Sequence, residues 1–111
     1  MKIVRLKDIP STEVSHNSAI QKRVMLCAGE LGRITQFAQS VFPKGAVAKA
    51  HAHADMGEVF FVDSGTGEII IDGTRQALEP GTCAVVGCGE VHELCNTGNT
   101  DLVITYFGVK V

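Results

Sequence analysis

The sequence predicts an all-β fold, a sandwich or barrel of short strands. Three observations carry that reading. Apolar and β-branched runs recur along the chain, from Glu58-Val59-Phe60-Phe61-Val62 to Cys83-Ala84-Val85-Val86. Glycine, proline and aspartate interrupt them at intervals of roughly ten residues, the spacing of turns between antiparallel strands. Helical periodicity is hardly indicated anywhere.

The elements follow in order. Lys2 to Leu6 reads as a strand with an unpaired hydrogen-bonding edge that needs covering. Ser11 to Arg23 is ambiguous, since Ser11-Thr12-Glu13 either caps a turn or starts a loop. Arg33 to Phe42 mixes polar and apolar residues as a half-buried strand does, and Pro43 with Gly45 stops it. Glu58 to Val62 is ended by Ser64-Gly65. Glu68 to Ile71 meets Asp72-Gly73, the strongest two-residue hairpin signal, and Thr74 to Leu78 returns. Glu79-Pro80-Gly81 turns into Cys83 to Val86. Val91 to Cys95 and Asp101 to Phe107 complete the set.

A chain of 111 residues supports one core and has no room for two, so 1–111 reads as a single domain. Its barrel core covers about 33–107, with an N-terminal strand or extension over 1–32. A net charge of -2 and a pI near 6.0 argue against nucleic acid as a partner. Charge interrupts Met1 to Asp8 too often for a signal peptide, and no apolar run is long enough to span a membrane. A cytoplasmic protein is the expectation. Cys27, Cys83, Cys88 and Cys95 contain no Cys-x-x-Cys unit, so they read as small apolar residues packed in or near the core. Cys88 and Cys95 flank His92, which brings one of them into question near a metal. His16, in a polar setting, reads as a solvated residue without a role.

Two spaced patterns carry the chemistry. The first runs Gly45, five residues, His51, Ala52, His53, four residues, Glu58, six residues, Gly65. The second runs Gly81, five residues, Gly87, one residue, Gly89, two residues, His92, three residues, Asn96. In order and in residue type these are the two motifs of the cupin family, which the chain resembles from Gly45 to Asn96. The resemblance implies a jelly-roll barrel of two Greek keys. It also implies that His51, His53, Glu58 and His92 ligate one divalent metal ion (Fe, Mn, Ni, Zn, Co or Cu). Alternation on a strand places His51 and His53 on one face, so both imidazoles reach the same point. Three nitrogens and one carboxylate oxygen leave an octahedral ion two open positions, the mark of a working site. One departure is Gly87, where the family usually has proline, so the loop Gly87-Cys88-Gly89 is expected to be more flexible. Asn96 is expected to hold a turn through backbone hydrogen bonds.

If Glu58 faces inward, parity takes Phe60 and Val62 with it, and His92 takes Leu94. Phe60, Gln36 and Tyr106 are the candidate substrate-binding residues, with Gln39 beside them. Lys49 shares the parity of the histidines, and no arginine is placed near the motif. Two functional readings compete. One is a small metalloenzyme acting on a chelating organic molecule, a dioxygenase or a Lewis-acid isomerase, decarboxylase or lyase, with Glu58 as a base when off the metal. The other is a non-catalytic cupin that binds or senses a small, sugar-like ligand. Neither involves nucleic acid or membrane. Cupins typically cover an exposed edge strand in a two-fold dimer, and a homodimer is expected here.

Overall fold

The computed structural model describes residues 1–15 and 17–111, so the reading of His16 lies outside the described residues. Among the described residues a 3-10 turn over Leu6–Asp8 precedes ten strands. They are β1 (Thr12–Val14), β2 (Asn17–Leu26), β3 (Ile34–Phe42), β4 (Val47–His51) and β5 (Met56–Ser64), followed by β6 (Gly67–Ile71), β7 (Thr74–Leu78), β8 (Cys83–Val86), β9 (His92–Asn96) and β10 (Leu102–Lys110). Among the described residues no helix is long and apolar enough to cross a membrane.

The strands form two antiparallel sheets in a jelly-roll arrangement. One has six strands in the order β1-β2-β3-β10-β5-β8, the other four in the order β4-β9-β6-β7. Their hydrogen-bond ladders do not join, which corrects the expectation of one closed barrel. The interior lies between the inner faces, as period-two alternation requires. On β10, Leu102, Ile104, Tyr106 and Gly108 face in while the residues between them are half-buried. Ile20, Ala38, Val62, Ile69, Leu78, Leu102 and Ile104 are each at most 2% exposed and make up the centre of the core.

Two turn devices fix the register. Asp72 (φ 46°) and Gly73 (φ 82°) join Ile71 to Thr74 in the two-residue turn that Asp-Gly predicts. The tip of this hairpin is also tied to the chain before β9. Asp72 N–H donates to the Val91 carbonyl at 2.8 Å, and the Asp72 carboxylate accepts the Val91 N–H at 2.8 Å. At the other end of the sheets Asn96 is 4% exposed. It donates to the carbonyls of Phe42 at 2.9 Å and Thr100 at 2.8 Å and accepts the Gly98 N–H at 2.9 Å, the turn-holding geometry expected of it.

Three local expectations are corrected. Lys2 to Leu6 does not form a strand; the edge of the six-stranded sheet is β1 instead. The ambiguous stretch from Ser11 to Arg23 becomes β1 and most of β2, a polar ribbon whose pairing with β3 overrides its weak local pattern. Cys27, Cys83 and Cys88 are exposed and Cys95 is half-buried, so the thiols are not core residues. Cys83 lies on an outward position of an edge strand, where alternation rather than apolarity decides burial.

Gly65 and Gly73 separate two costs of adding a side chain. Both have positive φ, but a Cβ on Gly73 meets open space, whereas one on Gly65 runs into the Asp101 carbonyl and, at 2.8 Å, Leu102 Cα. Gly73→Ala is expected to cost about 1–2 kcal/mol. Gly65→Ala should cost at least about 3 kcal/mol, because backbone must also move. Urea unfolding of the two variants measures the difference, and equal losses would contradict it.

Candidate metal centre

The centre joins the two sheets. His51 ends β4 and His92 begins β9, and the two are cross-strand partners in the four-stranded sheet. Glu58 lies on β5 of the six-stranded sheet, and its inward position follows from the same alternation that buries Phe60 and Val62. His53 follows the end of β4, in the segment that leads to β5. Strand parity therefore does not bring His51 and His53 together as expected. Instead, Ala48 pairs with Leu94 and His51 with His92, three steps against two, so β4 contains a bulge. The bulge turns both Ala48 and His51 inward and leaves Lys49 exposed, which removes Lys49 from the site. The freed Ala50 N–H is satisfied by the Glu93 carboxylate at 3.2 Å.

The loop after β8 positions His53. Gly89 N–H donates to the His53 carbonyl at 2.8 Å, and the Cys88 thiol to the Ala54 carbonyl at 2.7 Å. Gly87 N–H donates to the Glu90 carboxylate at 2.5 Å, a bond that proline could not make. Glycine at this position thus does not leave the loop untethered.

One ligand atom from each of His51, His53, Glu58 and His92 lies within 4.8 Å of the others. His92 is 1% exposed and Glu58 is 6% exposed, while both other histidines are half-buried. His51 Nδ1 lies 2.8 Å from the Lys49 carbonyl and His92 Nδ1 lies 3.1 Å from the Glu90 carbonyl. A carbonyl only accepts, so each Nδ1 carries the proton and Nε2 is the basic nitrogen of each ring, the one that can ligate a cation. Both His92 Nε2 (3.1 Å) and His53 Nε2 (3.2 Å) approach the same Glu58 oxygen. The His92 Nε2 lone pair against a carboxylate oxygen needs positive charge between them, either a proton or a metal ion. Three imidazoles and one carboxylate suit a first-row divalent ion, so the residues present fit one.

Burial works to lower the His92 pKa, but the hydrogen bond to Glu58, the Glu90 carbonyl and the charges of Glu58 and Glu90 outweigh it, and the net direction is upward. Burial pushes the Tyr106 phenol up, a hydrogen bond with Ser40 partly offsets this, and the Glu58 charge adds to it. Tyr106 is therefore neutral at physiological pH.

A cavity of about 160 Å³ adjoins the centre. Phe60, Gln36, Tyr106 and Leu94 are among the residues that line it. Phe60 stacks on Tyr106 with ring centroids 5.6 Å apart. Gln39 is not in the lining: it faces outward and donates to Asp63 at 3.1 Å. Cys88 and Cys95 are not part of the four-residue group. Sequence reasoning missed Lys22 and Ser40, which also line the cavity. Parity from Ile20 and Ala38 could have found them once β2 and β3 were recognised as neighbours.

The family model described as "Cupin domain" matches residues 38–108. The chain belongs to the cupin domain family. Among curated proteins it is similar to an uncharacterized protein of Aquifex aeolicus, 28% identical over 102 residues, covering 92% of this chain and 82% of that one. It also resembles an oxalate-binding protein of Thermotoga maritima, 32% identical over 66 residues, 60% of this chain but only 54% of that protein. Among solved structures, a predicted oxalate decarboxylase from Thermotoga maritima superposes with a TM-score of 0.92 at 23% identity, covering 99% of this chain and 100% of that one. KdgF from Halomonas superposes at 0.82 with 20% identity, covering 100% and 96%. At such identities these two structures establish the cupin fold and nothing more.

Protons and a cation compete for the same imidazole nitrogens, so metal retention should fall as pH drops. Because His92 holds its proton more tightly than an ordinary imidazole, proton competition there is stronger at any given pH than for an unperturbed ring. Metal content after dialysis at stepped pH between about 8 and about 5 tests this. Unchanged retention across that range would contradict it.

Proposed function

We propose that this cupin is a small metalloenzyme that holds one divalent ion with His51, His53, Glu58 and His92 and acts on a small chelating organic molecule in the adjoining cavity. The observation that carries the reading is the convergence of those four donors beside a cavity that His51, His53 and Glu58 line, rather than in closed protein. A structural metal would have no use for an open side. When bound, such an ion supplies Lewis-acid polarisation or, if iron, a place for dioxygen chemistry. The chain's own contribution is to orient and to move protons. Phe60 and Leu94 exclude water from one side of the cavity, and the neutral Tyr106 phenol offers a hydrogen bond within it. Among the described residues Glu58 is the only carboxylate in the lining, so when off the metal it is the base that a proton leaving the ligand would reach.

A second reading, ligand binding without turnover, is favoured by the relative named for binding oxalate. The two separate on metal and reaction. Redox-active iron with oxygen uptake on substrate supports a dioxygenase. Zinc or nickel supports Lewis-acid chemistry, and ligand binding without product supports the binding module.

A homodimer and a cytoplasmic setting belong to the same proposal. The outer face of the six-stranded sheet exposes Phe37, Phe61 and Val85 (36%, 44% and 67%), apolar area that a second copy would cover. All four cysteines are free, which suits a reducing compartment. Sedimentation should give twice the 11.8 kDa chain mass; a single-chain mass would contradict the dimer.

Elemental analysis of protein purified without chelator or nickel resin should find about one metal per chain. His53→Ala should abolish metal uptake yet shift the melting temperature of the metal-free protein by less than about 4 °C, since its ring lies outside the core. Full metal occupancy in His53→Ala would remove that histidine from the donor set.

A further inference from the structure

The cavity contains a cation that the metal motif does not explain. Lys22 pairs with Ser40 across β2 and β3, on the inward parity shared by the fully buried Ile20. Its stem is half-buried, and its ammonium donates to Gln36 Oε1 at 3.4 Å, within the cavity lining. Among the described residues no carboxylate forms an ion pair with it. A half-buried ammonium with only a long amide contact leaves donors available in a space that a ligand can fill.

The position of Lys22 relative to the metal centre follows from register. Gln36 pairs with Gly108, and Gly108 pairs with Glu58, so Gln36 and Glu58 occupy one inward row with a glycine between them. Two strand spacings separate their backbones, about 10 Å. The donor cluster thus stands at one side of the cavity and the Lys22–Gln36 pair at the other. Charge points the same way. A divalent ion held by one carboxylate and neutral imidazoles leaves one net positive charge, and Lys22 adds a second. A dianion balances both.

Resting on the metal-pocket reading above, we propose that Lys22 is a specificity-determining residue and that the ligand is a small dicarboxylate longer than two carbons. One carboxylate with a neighbouring oxygen would chelate at the His/Glu centre, and the other would pair with Lys22 beside Gln36. A two-carbon dianion such as oxalate uses both carboxylates to chelate one ion and leaves none for Lys22. The cavity is smaller than the ~300 Å³ at which drug-sized pockets begin, which keeps the ligand to a few carbons.

The test uses zinc-loaded protein and three probes, lactate, malate and oxalate, titrated calorimetrically at constant ionic strength. Lactate carries the chelating end alone, and malate adds the distant carboxylate. The wild type should bind malate about 10- to 100-fold more tightly than lactate, the size expected of one charge-assisted contact. Lys22→Met should erase that preference while leaving lactate affinity and zinc stoichiometry unchanged, and Lys22→Arg should largely retain it. Lys22→Gln serves as a second charge-removing variant if methionine impairs folding. Equal binding of malate and lactate by the wild type, oxalate bound more tightly than malate, or an equal loss of both in Lys22→Met would overturn the role of Lys22 and leave the metal pocket standing. Failure of all three probes to bind would sink the pocket reading together with this one.

Discussion

A single carboxylate oxygen of Glu58, buried between two sheets whose strand ladders do not join, is held against ring nitrogens from the opposite side. Its contacts to His92 and His53, at 3.1 and 3.2 Å, form a polar link across the interior, as the Asn96 bond to the Phe42 carbonyl does at the other end. Removing a carboxylate from water costs several kcal/mol unless positive charge compensates it. Everything that aims these groups must therefore hold together. The register of β5 on β10 faces Glu58 inward, the β4 bulge brings His51 beside His92, and the hairpin tip bonded to Val91 fixes the start of β9. A one-residue slip in β5 would turn Glu58 out and Val59 in, losing the link and the core contact of Val62 at once.

The same strands serve stability at one end and chemistry at the other. Along the inner faces the residues run Glu58-Phe60-Val62 on β5, Gly108-Tyr106-Ile104-Leu102 on β10 and Gln36-Ala38-Ser40-Phe42 on β3. Each begins polar or small beside the metal centre and ends apolar. The fully buried Leu102 and Ile104 fill the far half, where Asn96 closes the turn. The apolar half carries the hydrophobic stabilisation, which frees the near half to hold a cavity and a cluster of like donors that contribute little to folding.

How much of this was legible in the sequence depends on how local the signal is. Asp72-Gly73 was readable because positive φ at both turn residues is a property of the dipeptide itself. The four donors were readable because their spacing matches a family pattern, although the reason offered for His51 and His53 was wrong. A bulge rather than simple alternation aims His51, and His53 lies beyond the strand. A bulge inserts one residue with no compositional mark, so parity drawn through it gives Lys49 the face of the histidines although the lysine stays in solvent. β2 went unrecognised because its polar residues gain their order from pairing with β1 and β3, contacts remote in sequence. The cysteines were misplaced because burial on a strand follows side-chain direction, which composition does not encode.

That division also says where this cupin's individuality resides. All four candidate donors fall within the matched span of 38–108. Lys22 and Gln36 lie before it, on β2 and the start of β3. Metal chemistry of this kind is generic, since a first-row ion held by three imidazoles and a carboxylate supports several reactions. Selectivity must come from the walls, where one fixed charge discriminates between ligands far more sharply than an added apolar surface does. The N-terminal strands therefore do more than extend the sheet: through Lys22 and Gln36 they supply part of the cavity wall.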